Sequence, residues 1–268
     1  MVAKYVGRRL LQAAFILWSA TNLAGDELQG ALRPRFDHLS FANWSLIISP
    51  LLALIDWLAV ARQKKRLEYV FKPATLVAII IGAWLLTQGP HDAWEARFFL
   101  PGLVFSLAGD VFLMLPGAGA GSPSPYFLPG LVAFLLAHLC YIVGLNPMLP
   151  PWPALAILIV VVVIGITLFR PIAAGMRRQG KTAMLVPVAL YSLVLSLMLF
   201  SAWATLFRPE WTSLRRGLII VGASLFSSSD AMLAWDMFIS PSLGLQLLVI
   251  TTYHLGQIAM AASIALAR

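Results

Sequence analysis

The sequence predicts an all-α fold, a polytopic bundle of transmembrane helices. Of the 268 residues, 60% are hydrophobic and only 11% are charged, where a soluble domain carries about 25% charged residues. Mean hydropathy is +0.86. Several apolar runs approach or exceed the roughly 18–20 residues needed to cross a bilayer core.

The elements follow in order. Lys4, Arg8 and Arg9 precede an apolar run from Leu10 to Ala24. A signal peptide has this layout, but no small-x-small cleavage site precedes Gly25, so an uncleaved first helix is expected. Residues 25–43 form a polar connection. Trp44–Val60 is the second segment and contains Asp56, and residues 61–72 are the most basic loop. The third segment covers 73–88 and opens at Pro73, a favoured first helical position. The fourth covers 98–116 and leads into an uncharged Gly/Pro/Ser loop, 116–126. The fifth is 127–145 and the sixth 152–169, followed by a loop marked by Arg170, Arg177, Arg178 and Lys181. The last three are 182–207, 217–238 and 244–266. Residues 1–43 are thus an N-terminal extension with one hydrophobic helix and a polar loop, and 44–268 are the bundle that carries the site.

The net charge of +8 is concentrated in loops, which suits membrane topology and anionic headgroups. No basic stripe carries interleaved aromatics, so no nucleic-acid partner is expected. The single Cys140 excludes an intrachain disulfide and a cysteine metal motif. With a cytoplasmic N-terminus, twelve basic residues fall inside and seven outside, the sense of the positive-inside rule. The expected location is a bacterial inner (cytoplasmic) membrane.

Two apolar stretches carry a carboxylate. Residues 101–116 (PGLVFSLAGDVFLMLP) hold Asp110, and 217–238 hold Asp230. Each has a Gly eight residues earlier (Gly102, Gly222) and a Leu three later (Leu113, Leu233). An ionised side chain inside a membrane helix costs roughly 2.5–3.5 kcal/mol on insertion scales, so such residues default to function. The two segments run the same way, which places both aspartates at similar depth in the cytoplasmic half, able to face each other across the interior. Two carboxylates in one apolar site can divide into an acid and a base. The competing reading is a packing pair held by Ser106 and by Ser227, Ser228 and Ser229. His138 follows Asp110 by 28 residues and His254 follows Asp230 by 24, which suggests a parallel repeat of an Asp helix followed by a His helix.

Other polar residues admit two readings each. His138 and Tyr141 share a helix face, as do His254 and Gln257, for interhelical hydrogen bonding or for a site. Lys72 is either a snorkelling lysine or a point charge for a lipid phosphate. Tyr191 is a core aromatic or a hydroxyl donor in the cavity. Asp56 reads as an interfacial partner of Arg62 or its neighbours, Asp236 as an end-of-helix residue, His38 and His91 as solvated loop residues, and the tryptophans mostly as interface anchors. No helix carries a His-x3-His or Glu-x2-His pair, so no metal and no cofactor are expected. No Gly-x-Ser-x-Gly, zincin pair or P-loop occurs.

At these residues the chain resembles the YhhN family of integral membrane proteins, which includes the lysoplasmalogenases. The matching stretches are FKPATL (71–76), FSLAGDVFLMLP (105–116), GLVAFLLAHLCY (130–141), LVPVALYSLVLSLM (185–198), GASLFSSSDAMLA (222–234) and YHLGQIAMAAS (253–263). The resemblance implies an eight-helix core, which leaves the first apolar run as an extra N-terminal helix. It implies hydrolysis of the vinyl ether bond of lysoplasmalogen, giving a fatty aldehyde and a glycerophospho-headgroup, with Asp110 and Asp230 as the motif aspartates. Lys72, His138, Tyr191 and Gln257 match its other polar positions, and Tyr141 joins them as a substrate-binding candidate. His254 stands where the family has an aromatic. The expected partners are a lysophospholipid substrate and membrane lipids. The alternative is a proton-coupled lipid or small-molecule transporter using the same aspartates; the sequence shows no matched pair of interrupted helices to favour it. A metal-dependent lipid amidase or esterase is a third class.

Overall fold

The computed structural model describes residues 41–87, 94–115 and 125–266, with side chains from Ile47 onward. The expected first helix, His38, His91 and most of the Gly/Pro/Ser loop lie outside the described residues. Eight α-helices follow: α1 (Phe41–Ala61), α2 (Lys65–Thr87), α3 (Trp94–Met114), α4 (Phe127–Leu145), α5 (Leu155–Arg178), α6 (Leu185–Ala204), α7 (Ser213–Phe238) and α8 (Leu243–Ile264). Among the described residues there is no strand. Seven helices, α2 to α8, are long and apolar enough to cross a membrane, and α1 is apolar from Ile47 to Ala61.

Two helices run further than their apolar pattern predicts. Gln63 adopts a left-handed φ of 54°, and the Lys64 N–H bonds the Ala59 carbonyl at 2.8 Å. This closes α1 in the manner of a left-handed C-terminal cap and lets α2 begin at Lys65. Most of the expected basic loop is therefore the start of a helix, with a Lys65–Glu68 ion pair of 2.8 Å in its first turn. Pro73 is inside α2, where its missing N–H leaves the Tyr69 carbonyl without a helical partner. Lys72 consequently projects from a helix rather than a loop. Likewise α5 continues through Pro171 to Arg178, so Arg170, Arg177 and Arg178 sit on it.

Consecutive helices pair as α1/α2, α3/α4 and α7/α8, and α8 also packs against α1, α2 and α3. The most buried span is α8, and α5 the least. The α7/α8 approach depends on Gly222 and Gly256. A Cβ on Gly222 would lie 2.9 Å from the Gly256 carbonyl oxygen, and one on Gly256 would lie 2.8 Å from that of Gly222. Small residues let membrane helices approach at backbone distance, and here they bring the polar faces of α7 and α8 together.

The end of the bundle where α3 and α7 begin is tied by charge. Glu95 on α3 and Arg215 on α7 form a buried ion pair, with the guanidinium stacked 4.0 Å from the Trp211 ring. Arg208 donates to the carbonyls of Leu145 and Met148 at 3.1 and 3.0 Å. Glu95→Leu is expected to lower stability by about 3–5 kcal/mol, because it strands a buried guanidinium. Glu95→Leu/Arg215→Met should recover most of that loss. Thermal unfolding midpoints in detergent check both.

Candidate active site

At the other end, α3 and α7 finish and α2, α4, α6 and α8 begin. Six polar side chains from these six helices meet there in two clusters. The first surrounds Asp110. Lys72 Nζ contacts Asp110 Oδ1 at 3.0 Å, and the Tyr253 hydroxyl donates to Oδ2 at 2.7 Å. The Lys72 ammonium also lies 5.9 Å from the centroid of the Tyr253 ring. Both carboxylate oxygens are thus engaged, one by a cation.

The second cluster surrounds Asp230. The Tyr191 hydroxyl donates to Asp230 Oδ2 at 2.5 Å, and His138 Nε2 lies 3.0 Å from the same oxygen and 2.9 Å from the hydroxyl. With its proton on Nε2, His138 donates to the carboxylate. Both partners converge on Oδ2, and neither takes Oδ1. The cluster is packed from behind by Phe226, whose ring centroid is 4.9 Å from that of His138. Neither aspartate is held by its neighbouring serines. Ser229 turns away to bond the Val249 carbonyl at 2.9 Å and helps to clamp α7 to α8.

Two cavities of opposite character meet at Asp230. A polar one of about 350 Å³ is lined by Lys65, Glu68, Tyr69, Lys72, Asp110, Asp230, Asp236 and Tyr253, among others. An apolar one of about 110 Å³ is walled by α4, α5, α6 and α7, including Leu131, Ile164, Leu168, Leu195 and Leu199. Asp230, Leu113, Phe134, Leu233 and Met237 line both. Asp110 and Asp230 therefore open on the same hollow, and Asp230 stands where that hollow turns from polar to apolar.

The remaining candidates sit around this core. Tyr191 lines the apolar cavity. His138, Tyr141 and Gln257 are fully buried and line neither cavity. The Tyr141 hydroxyl donates to Gln257 Oε1 at 3.0 Å, joining α4 to α8 behind the aspartates. A Cβ on Gly102 would fall 2.6 Å from the Tyr141 ring, so the glycine of the motif makes room for that tyrosine. Asp236 bonds the Ser242 N–H at 2.8 Å and the Gln246 amide at 3.4 Å, fastening the α7–α8 turn at the rim of the polar cavity. Among the described residues, no group of three or more His, Cys, Asp or Glu side chains is placed to hold a metal.

The structure departs from the sequence pattern at several residues. Asp56 is not an interfacial partner of Arg62. It is fully buried, and neither oxygen has a hydrogen-bond partner. The suggested Asp-helix/His-helix repeat does not organise the site. His138, which follows Asp110 in the chain, crosses to Asp230, whereas His254 accepts from the Trp57 indole at 3.2 Å. Tyr253 was hidden beside His254. Its spacing of four from Gln257 puts those two on one helical face, and that was the available signal. Nor is Trp57 an interface anchor, since it is buried against His254.

Fold and site together define a multi-pass membrane protein with a pair of carboxylates inside its bundle, reached by one polar and one apolar hollow. The chain belongs to the YhhN family, which it matches over residues 67–264. It is similar to "Lysoplasmalogenase TMEM86B" of Homo sapiens, 32% identical over 185 residues that cover 68% of this chain and 70% of the relative. The Mus musculus protein of the same name is 27% identical over 214 residues, 79% of this chain and 81% of the relative. "Lysoplasmalogenase" of Mycobacterium tuberculosis is 32% identical over 146 residues, 54% of this chain and 51% of the relative. No solved structure matches.

Proposed function

We propose that this protein is an intramembrane hydrolase that cleaves the vinyl ether bond of lysoplasmalogen-type lysophospholipids. The observation that carries the reading is the position of Asp230, at the junction of the polar and apolar cavities. In a lysoplasmalogen the vinyl ether is also the junction, between the glycerophospho-headgroup and the tail. A lipid with its tail among α4, α5, α6 and α7 and its headgroup beside Lys72 brings that bond to Asp230. The names of the relatives point to the same chemistry.

The reaction is hydration followed by collapse. Asp230, its Oδ2 held by Tyr191 and His138, delivers a proton from Oδ1 to the vinyl carbon β to oxygen. The resulting oxocarbenium ion is stabilised by the Asp110 carboxylate, which Lys72 and Tyr253 hold and aim. Asp110 takes a proton from water as the water's oxygen bonds the cationic carbon. The hemiacetal then breaks its bond to the glycerol oxygen. In the collapse Asp110 gives the proton it took from water to the departing glycerol oxygen, and Asp230 takes the proton of the hemiacetal hydroxyl as the carbonyl forms, which returns both groups to their starting states. Water is the only co-reactant, and the products are a fatty aldehyde and a glycerophospho-headgroup. The division of labour is that of the two carboxylates in glycoside hydrolysis. Lys72 also supplies a point charge for the phosphate. The positive-inside bias puts this end of the bundle on the cytoplasmic side.

Purified protein given matched vinyl-ether, alkyl-ether and acyl lysophospholipids is expected to release aldehyde from the vinyl ether alone. Saturated ethers cannot form the oxocarbenium ion by carbon protonation. Cleavage of all three, or pH-driven lipid flux in proteoliposomes with no aldehyde formed, would replace the hydrolase reading.

A further inference from the structure

The first described helix, α1, precedes the stretch that matches the family. It carries a carboxylate, Asp56, that the mechanism above does not use. Asp56 is fully buried without a hydrogen-bond partner for either oxygen, and an unpaired polar group in such a place is expensive. The rotation of α1 is fixed next door. Trp57 donates to His254 Nδ1 at 3.2 Å, with the two rings stacked at 6.4 Å. The neighbouring Tyr253 bonds Asp110. The turn between the antiparallel helices α1 and α2 ends at Lys64. Asp56 lies five residues before the end of α1 at Ala61 and Lys72 seven residues after the start of α2 at Lys65, about 8 and 10 Å along their helices, so the two depths differ by less than the reach of a lysine side chain. The charged groups near Asp56 are Lys72, Glu68 and Lys65 from α2 and Asp110 from α3. On α8, His254, which stacks on Trp57, has an Nε2 that also lacks a partner.

A lysine ammonium has three N–H donors. In the structure Asp110 takes one. We propose that Asp56 is a second carboxylate seat for the Lys72 ammonium, and that it holds the amine in place while Asp110 is protonated during turnover. The inference rests on the reading of Asp110 and Asp230 as the hydrolytic pair. When Asp110 accepts the proton of the attacking water, its negative charge disappears and Lys72 loses its countercharge. Without a second anion the ammonium would drift toward the substrate phosphate and leave Asp110 poorly placed for the next step. Asp56 supplies that anion from outside the cavity, where it touches neither lipid nor water nucleophile. It is therefore a positioning residue.

The test is steady-state aldehyde release by the full chain with a vinyl-ether lysolipid. Asp56→Asn is expected to lower kcat about tenfold while KM changes less than about twofold, the scale of one lost charged hydrogen bond. Asp56→Glu should restore most of kcat. Asp56→Asn/Lys72→Gln should be no slower than Lys72→Gln, because without the ammonium Asp56 has nothing to hold. A folded Asp56→Asn with the wild-type kcat overturns the inference. So does a double variant slower than Lys72→Gln by the full single-variant factor, the signature of a structural role alone. Should Asp56→Asn fail to fold, Asp56→Glu decides: retained kcat supports the carboxylate seat, and a folded but inactive Asp56→Glu overturns it. These outcomes leave the hydrolase reading standing. A wild-type protein that releases no aldehyde removes both.

Discussion

Asp230→Asn is expected to reduce aldehyde release by roughly a hundredfold to ten-thousandfold, the usual contribution of a positioned acid or base. An amide matches the carboxyl in shape and can still accept from Tyr191, so the fold should persist, but it cannot deliver a proton to carbon. The same substitution at Asp110 should cost a similar factor, though it also strands the Lys72 ammonium, which makes Asp230 the cleaner test. Carbon protonation leaves a mark as well. Wild-type turnover in deuterated water, with the aldehyde reduced as it forms, should place one deuterium on the carbon next to the former vinyl ether carbon. Residual product from Asp230→Asn should arise slowly, at a rate lower by that factor. Turnover within threefold of wild type by this variant would sink the assignment of Asp230 as the acid.

The sequence shows the aspartates more clearly than their partners, for a physical reason. A carboxylate in an apolar run is costly and therefore conspicuous, which is why Asp110 and Asp230 stand out without coordinates. Among the described residues the eight helices and most segment limits are also legible: 127–145 coincides with α4, 182–207 with α6 and its two flanking 3-10 turns, and 217–238 with α7 at its C-terminal end. The partners are harder to read. Tyrosine is common at membrane interfaces, so nothing in the pattern separates Tyr191 and Tyr253 from belt residues. Their roles appear only when α6 and α8 are brought against α7 and α3. His138 misleads in the other direction. Chain order assigns it to Asp110, and packing of α4 against α6 delivers it to Asp230. Lys72 shows why a helix start is hard to place. Its apolar run begins at Pro73, but the left-handed Gln63 closes α1 early enough for α2 to start among charged residues. Asp56 reads as a partner of the basic loop because that loop is the nearest charge in one dimension, whereas the structure buries the side chain in the bundle.

Lys72→Gln carries the second large effect, and it separates two tasks of one residue. As the countercharge of Asp110, at 3.0 Å and largely out of solvent, its loss leaves a buried carboxylate with Tyr253 as its remaining hydrogen-bond donor. Breaking one side of such a pair costs about 3–5 kcal/mol of stability. Lys72→Gln/Asp110→Asn should therefore recover the thermal midpoint while remaining inactive. As a phosphate ligand, the ammonium contributes about 1.5–3 kcal/mol through a charged hydrogen bond, or roughly tenfold to a hundredfold in kcat/KM. That share should vanish with a 1-alkenylglycerol that lacks the phosphate. The wild type should prefer the phosphorylated lipid by about that factor, and Lys72→Gln should treat the two substrates nearly alike. Lys72→Arg restores the charge but not the compact ammonium that fits between Asp110 and the cavity, so it should recover binding more than turnover. If Lys72→Gln keeps the full preference for the phosphorylated substrate, the headgroup is held elsewhere in the polar cavity and Lys72 serves Asp110 alone.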